Sequence, residues 1–318
     1  MPAPFLSRRA ALPIALVIGL VACSAEAPAS EAPASPPHAA EANVPVEVPV
    51  GDALPADETP DTAATGVPDA ALAVPTPGPA AVLDAAYGPS SLAESGASAE
   101  ERSLPDGRRA AFWRGQVFAL GGAAWYVGFA ASAAPSDFPA PDQTAELAQA
   151  TWRFIDGGWQ PVSASSGIGT FGGEGRAPSP DGTRDARVFE ADRGRVLLAL
   201  PVADPANGGV RAYAYELFAG EGEPLAWRHV GRLPAGSDNH AGCSTVIGAE
   251  VPCAGTAGTL EFVGEGASWP TLKLALQGRV VEGPGRVRDT TSADVVTLAF
   301  NAASGRYEPI GAIPDAAY

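Results

Sequence analysis

From about Pro105 onward, apolar side chains recur at every second position in short runs. Leu272, Leu274 and Leu276 alternate with Thr271, Lys273, Ala275 and Gln277, and Val296, Leu298 and Phe300 alternate with Val295, Thr297 and Ala299. A period of two is that of a strand, whose successive side chains face opposite sides of a sheet. Tyr213, Tyr215 and Leu217 repeat the pattern, whereas Val196 to Val202 is apolar at both parities and predicts a strand buried on both faces. Glycine, proline, aspartate and asparagine separate the runs and mark turns. Sustained helical periodicity is missing here, although the composition of 142–150 predicts about two helical turns. The reading is an all-β domain.

The strands also repeat. Trp159-Gln-Pro-Val162-Ser163, Trp227-Arg-His-Val230-Gly231 and Tyr307-Glu-Pro-Ile310-Gly311 share an aromatic, two variable residues, a β-branched aliphatic and a small residue. Each follows a turn, at 156–158, 219–222 and 301–305, and each turn follows a matching strand at 152–154, 213–215 and 296–298. Strands at 125–131, 196–202 and 272–276 precede these, with a fourth of each set at 112–120, 187–191 and 259–263. The pattern predicts repeated antiparallel β-meanders, arranged as a propeller-like or stacked-sheet domain, with a β-sandwich as the alternative. Three meanders fall short of the four blades with which propellers begin to close.

Composition divides the chain before this domain. From Ser24 to Glu101 there are thirteen acids and no lysine or arginine, in an alanine- and proline-rich stretch. Residues 102–318 hold 23 acids and 18 bases, so only −5 of the total −16 belongs to the β domain. The acidity of the whole chain therefore describes a tether and does not define a surface made for a basic partner. Such a composition cannot bury enough apolar surface to fold and favours extended conformations, so 23–101 is read as a disordered tether. Within it, Ala81, Leu83 and Tyr87 give a weak helical spacing over 80–87, ended by Gly88-Pro89.

Residues 1–22 have the parts of a secretory signal: Arg8 and Arg9, an apolar stretch from Ala10 to Leu20, then small residues. The apolar stretch is too short to span a bilayer, which takes about 20 residues. Leu20-Val21-Ala22-Cys23 resembles the lipobox of bacterial lipoproteins. That resemblance implies cleavage before Cys23 and lipid attachment to its sulfur, giving a membrane partner through the N-terminal lipid. Ser24, where an aspartate would favour retention at the inner membrane, implies the bacterial outer membrane, with the domain in the periplasm or at the cell surface.

The remaining cysteines, Cys243 and Cys253, flank a short loop containing glycine and proline. In an exported chain they are expected to form a disulfide. Metal binding would need more ligands at suitable spacing, and only His240 lies close, so no metal or other cofactor is expected. Just before the loop, Asp238 and His240 are two apart and could form an orienting pair beside Ser237 or Ser244. They are weak candidates, because serine, aspartate and asparagine crowd turns for reasons of backbone hydrogen bonding alone. His229 falls in a predicted strand and is expected to pack or face solvent.

Other motifs fail on chemistry. Gly167, Gly169 and Gly172 match a dinucleotide fingerprint, but Gly173, Gly175, Pro178 and Pro180 follow where a helix must receive the pyrophosphate, so a flexible loop is expected. Residues 181–185 lack the alternating oxygen ligands of a calcium loop. Lys273 is the domain's single lysine and no basic cluster is visible, which argues against nucleic acid. Two functions remain. One is a lipid-anchored envelope protein displaying a β-rich binding or structural module for an envelope protein or glycan. The alternative is an envelope hydrolase acting on glycan or peptide, using Asp238 and His240 or carboxylates such as Glu174 and Asp185 brought together by folding.

Overall fold

A computed structural model describes residues 67–89, 100–133, 140–204, 208–243, 251–264, 266 and 268–318. All belong to the unit Pro60–Tyr318, and the second unit, Met1–Thr59, lies outside them. So do Cys23, the signal segment and Ser244.

The alternating runs form three consecutive antiparallel meanders. The first comprises β1 (Glu101–Ser103), β2 (Arg109–Leu120), β3 (Ala123–Ala133), β4 (Ala145–Ile155) and β5 (Gly158–Phe171), paired in sequential order as one five-stranded sheet. The second holds β6 (Ser179–Pro180), β7 (Arg187–Ala191), β8 (Arg195–Ala203), β9 (Arg211–Glu221) and β10 (Ala226–Asp238). The third holds β11 (Gly255–Val263), β12 (Thr271–Gly283), β13 (Arg286–Asp289), β14 (Val295–Asn301) and β15 (Arg306–Pro309). Trp159, Trp227 and Tyr307 each open the last hairpin arm of their meander, as the repeat predicts. Asp156 and Gly157 join β4 to β5 with φ of 52° and 80°, the two left-handed residues that a tight Asp-Gly hairpin turn requires.

The second and third meanders are not separate blades. They share one ten-stranded sheet through a single rung, Asp238 opposite Gly255, where β10 meets β11. β10 also packs near β14 and β15, so this sheet curls on itself. The first meander stacks on its outside. β8 explains the arrangement: Leu197 and Ala199 enter the core inside the curl, with Leu217, Val230, Leu233, Leu272 and Leu274. Val196, Leu198 and Leu200 enter the core between the sheets, with Phe118, Phe129, Leu147, Phe218 and Trp227. A strand apolar at both parities thus becomes the middle layer of a stacked β domain, and each large apolar side chain buried this way contributes about 1.5–3 kcal/mol.

Two local expectations change. Residues 145–150, read as helical, are the start of β4, where cross-strand pairing with β3 overrides their weak periodicity. Part of the tether is folded: α1 (Asp69–Leu72) and α2 (Pro79–Tyr87) form, and α2 lies on the first sheet with Val82 and Leu83 fully buried. Val82 joins Tyr126, Ala150 and Trp152, while Leu83 joins Ala110, Ala130 and Ala148. Gly128 makes the fit, because a Cβ there would lie 2.3 Å from a Val82 methyl. Arg102 ties the helix down through the carbonyls of Leu83 and Gly88 and the carboxylate of Asp84.

Candidate functional site

β10 pairs with β9 along its whole length but meets β11 only at its last residue. Between the diverging strands sits a 3₁₀ turn, Asp315–Ala317, whose Ala316 and Ala317 are buried in the inner core. Thr256 Oγ1 donates to the Ala316 carbonyl at 2.6 Å and accepts from the Ser237 N–H at 3.1 Å, which closes the gap from below. Gly236, at φ 115°, is required there, because a Cβ would lie 2.2 Å from the Thr256 carbonyl oxygen.

Above this plug opens a cleft of about 310 Å³, lined among others by Val210, Asp238, Val251, Arg279, Val281 and Tyr318. Eight large apolar side chains are exposed among the described residues, and four of them, Val210, Val251, Val281 and Tyr318, line this cleft. Scattered exposed apolar residues are ordinary, so it is their collection in one concavity that marks the place.

The rim is cross-braced. Cys243 and Cys253 form a disulfide with Cα atoms 5.0 Å apart. Asn239, nearly buried, spans the same loop: Nδ2 donates to the Pro252 carbonyl and Oδ1 accepts from the Ala254 N–H, both at 2.8 Å. Its carbonyl also accepts from the N–H groups of Gly242 and Cys243. Gly242, Val251 and Ala254 of this braced loop form one cleft wall. Asn239 went unread in the sequence, where its position between Asp238 and His240 signalled only a turn.

Asp238 lines the cleft and His240 stands beside it, with Nδ1 3.4 Å from Asp238 Oδ1 and the ring two-thirds exposed. The same oxygen accepts from the His240 backbone N–H at 3.1 Å, which is an Asx turn. Oδ2 accepts from the Tyr213 hydroxyl. Burial opposes the Asp238 charge, but the hydrogen bonds from Tyr213 and the His240 backbone, with the His240 ring, hold the carboxyl below the usual range. The bond to Asp238, then burial, pushes the Tyr213 hydroxyl up. Asp238 is thus held as an acceptor by Tyr213 and by its own Asx turn.

The other carboxylates do not join them. Glu174 is exposed on a turn and pairs with Arg176 at 3.3 Å, and Asp185 is exposed between β6 and β7. Gly167 and Gly169 of the glycine fingerprint fall in β5, correcting the flexible-loop expectation for that part, and Gly172 follows the end of the strand: Leu147 pairs with Gly169 and Ala145 with Phe171. Gly169, at φ 137°, lets β5 approach β10, since a Cβ there would lie 2.9 Å from His229 Cβ.

His229 is buried and paired. Its Nε2 lies 2.8 Å from Glu216 Oε2, and Arg232 bonds the other Glu216 oxygen at 3.2 Å and Asp204 at 2.6 Å. This chain runs from the surface into the seam between the sheets. The sequence shows Glu216 only as one polar position in an apolar strand, so its partner could not be read.

Among the described residues, no three His, Cys, Asp or Glu side chains gather to hold a metal, and no helix is long and apolar enough to cross a membrane. Comparison with known proteins finds no matching family model, no similar curated protein and no similar solved structure.

Proposed function

We propose that this chain is a lipid-anchored protein of the bacterial outer membrane whose stacked β domain displays a binding cleft. The collection of Val210, Val251, Val281 and Tyr318 in one concavity carries the binding part of this reading. Water-exposed valines cost free energy that an apolar ligand surface recovers, and a rim held by the disulfide and Asn239 loses little entropy when it is occupied. The anchor rests on Leu20-Val21-Ala22-Cys23 behind a basic and apolar leader, and the acidic, proline-rich composition after it favours a spacer between lipid and domain. A hydrolase that uses Glu174 or Asp185 is disfavoured, because neither lines the cleft that holds Asp238.

The two parts are tested separately. Cys23→Ser should abolish incorporation of a labelled fatty acid and release the protein from membranes; a wild-type chain whose mature N-terminus carries no lipid overturns the anchor. A photo-crosslinker in place of Val281 should capture a ligand in intact cells, detected by intact mass. The control position is Val263, about as open to solvent as Val281 but outside the cleft. Equal adducts at both positions, or none at 281, overturn the cleft.

A further inference from the structure

Strand register places opposite charges across the cleft floor. Asp238 on β10 faces Gly255 on β11, and Gly255 faces Arg279 on β12. Directly opposed residues in antiparallel strands point to the same side of the sheet. Asp238 and Arg279 therefore rise from one face, two strand spacings or about 10 Å apart. Between them Gly255 contributes no side chain. A Cβ there would lie 3.2 Å from Asp238 Cβ and 3.4 Å from His240 Cε1, a tight fit, so glycine keeps the floor low beside the His240 ring.

Both charges have capacity to spare. Arg279 is exposed and makes no ion pair or hydrogen bond among the described residues. The Asp238 carboxylate accepts from the Tyr213 hydroxyl and the His240 backbone N–H and has His240 Nδ1 3.4 Å from Oδ1, which still leaves one of the roughly four positions its lone pairs allow. Val251 and Val281 supply apolar walls alongside.

We infer that the cleft takes a short apolar peptide by its two free ends, the ammonium on Asp238 and the carboxylate on Arg279. A dipeptide spans about 7 Å between its terminal groups. That length bridges the two side chains when a charged hydrogen bond of about 2.8 Å closes each end at a slant. A cleft near 310 Å³ matches a ligand of this size, and the valines select aliphatic side chains. The inference rests on the cleft being the binding site and adds its ligand class.

The test is calorimetric titration of the full chain with valyl-valine in four forms: free, N-acetylated, C-amidated and blocked at both ends. Free dipeptide should bind most tightly, with each block weakening binding about tenfold or more. Arg279→Gln should weaken the free form by a similar factor and remove the penalty of C-amidation, since the lost partner makes that block irrelevant. Asp238→Asn should do the same for N-acetylation, and unchanged thermal midpoints show that both variants are folded. Equal binding of the free and doubly blocked forms overturns the charged-end inference and leaves the cleft standing. Absence of binding at millimolar concentration, while the crosslinker at 281 still captures a ligand, also overturns it and sustains the cleft. If both fail, the binding site is wrong as well.

Discussion

Leu83→Ala tests whether the end of the acidic segment belongs to the fold. Leu83 is 2 % exposed and packs on Ala110, Ala130 and Ala148, three small residues that leave a recess in the first sheet. Truncation leaves that recess empty, because β2, β3 and β4 are fixed by their ladders and cannot close over it. A buried Leu→Ala change of this kind costs about 2–5 kcal/mol. For a domain of this size each kcal/mol moves the melting temperature by about 2–4 °C, so a loss of 3 kcal/mol lowers it by roughly 6–12 °C. Thermal unfolding of the full chain followed by circular dichroism measures this directly. Leu72→Ala is the control: Leu72, in α1, is 62 % exposed and should change stability by no more than about 0.5 kcal/mol. Equal melting temperatures for wild type and Leu83→Ala would refute the docking of α2 and return the whole segment to the tether.

Reduction of Cys243–Cys253 should raise hydrogen exchange at 239–243 and 251–254 while 196–202 stays protected, for a total loss of about 2–3 kcal/mol. Uniform acceleration would show that the bridge supports the core. Asp294 is held well below the usual carboxylate range by its paired bonds from Arg288, at 2.7 and 2.9 Å, and by the Thr291 N–H. A depressed folded value contributes stability above the unfolded carboxylate pKa of about 3.9 and loses it as pH falls through the folded value. Asp294→Asn should therefore be less stable than wild type at pH 7, with the difference shrinking between pH 4 and 2; a constant difference contradicts the linkage. Glu216→Ala, which leaves His229 and Arg232 without their shared partner, should cost about 3–5 kcal/mol by denaturant unfolding, and Glu216→Gln less. A neutral Glu216→Ala would show that the buried chain does not hold the sheets together.

Strand content, the three meanders and the middle position of β8 were legible because period and parity report directly on which faces a strand buries. Trp159, Trp227 and Tyr307 marked equivalent hairpins correctly. Sheet membership was not legible: the single rung from Asp238 to Gly255 joins two meanders, and no local pattern announces one rung. The docked helix was half legible. Its spacing showed around Ala81, Leu83 and Tyr87, but the recess that receives it depends on Gly128 and three alanines far along the chain. In the site, the cysteine pair and the segment 236–240 were found from spacing and from the export that the leader-like N-terminus predicts. Arg279 was not, because its relation to Asp238 exists only through the register of three strands. Val210, Val251 and Val281 read as ordinary strand or loop residues until the curl of the sheet gathers them.

The most direct measurement of the binding cleft is a methyl-resolved NMR titration of the full chain, labelled at valine, with the low-molecular-mass fraction of the cells that make it. A ligand seated there must shift Val210, Val251 and Val281 together and saturably, while Val263, exposed on β11 outside the cleft, stays in place. Saturation at those three methyls alone is the expected result. Shifts that include Val263 equally, or that leave the three cleft valines unmoved, would contradict a binding site where β10 and β11 part.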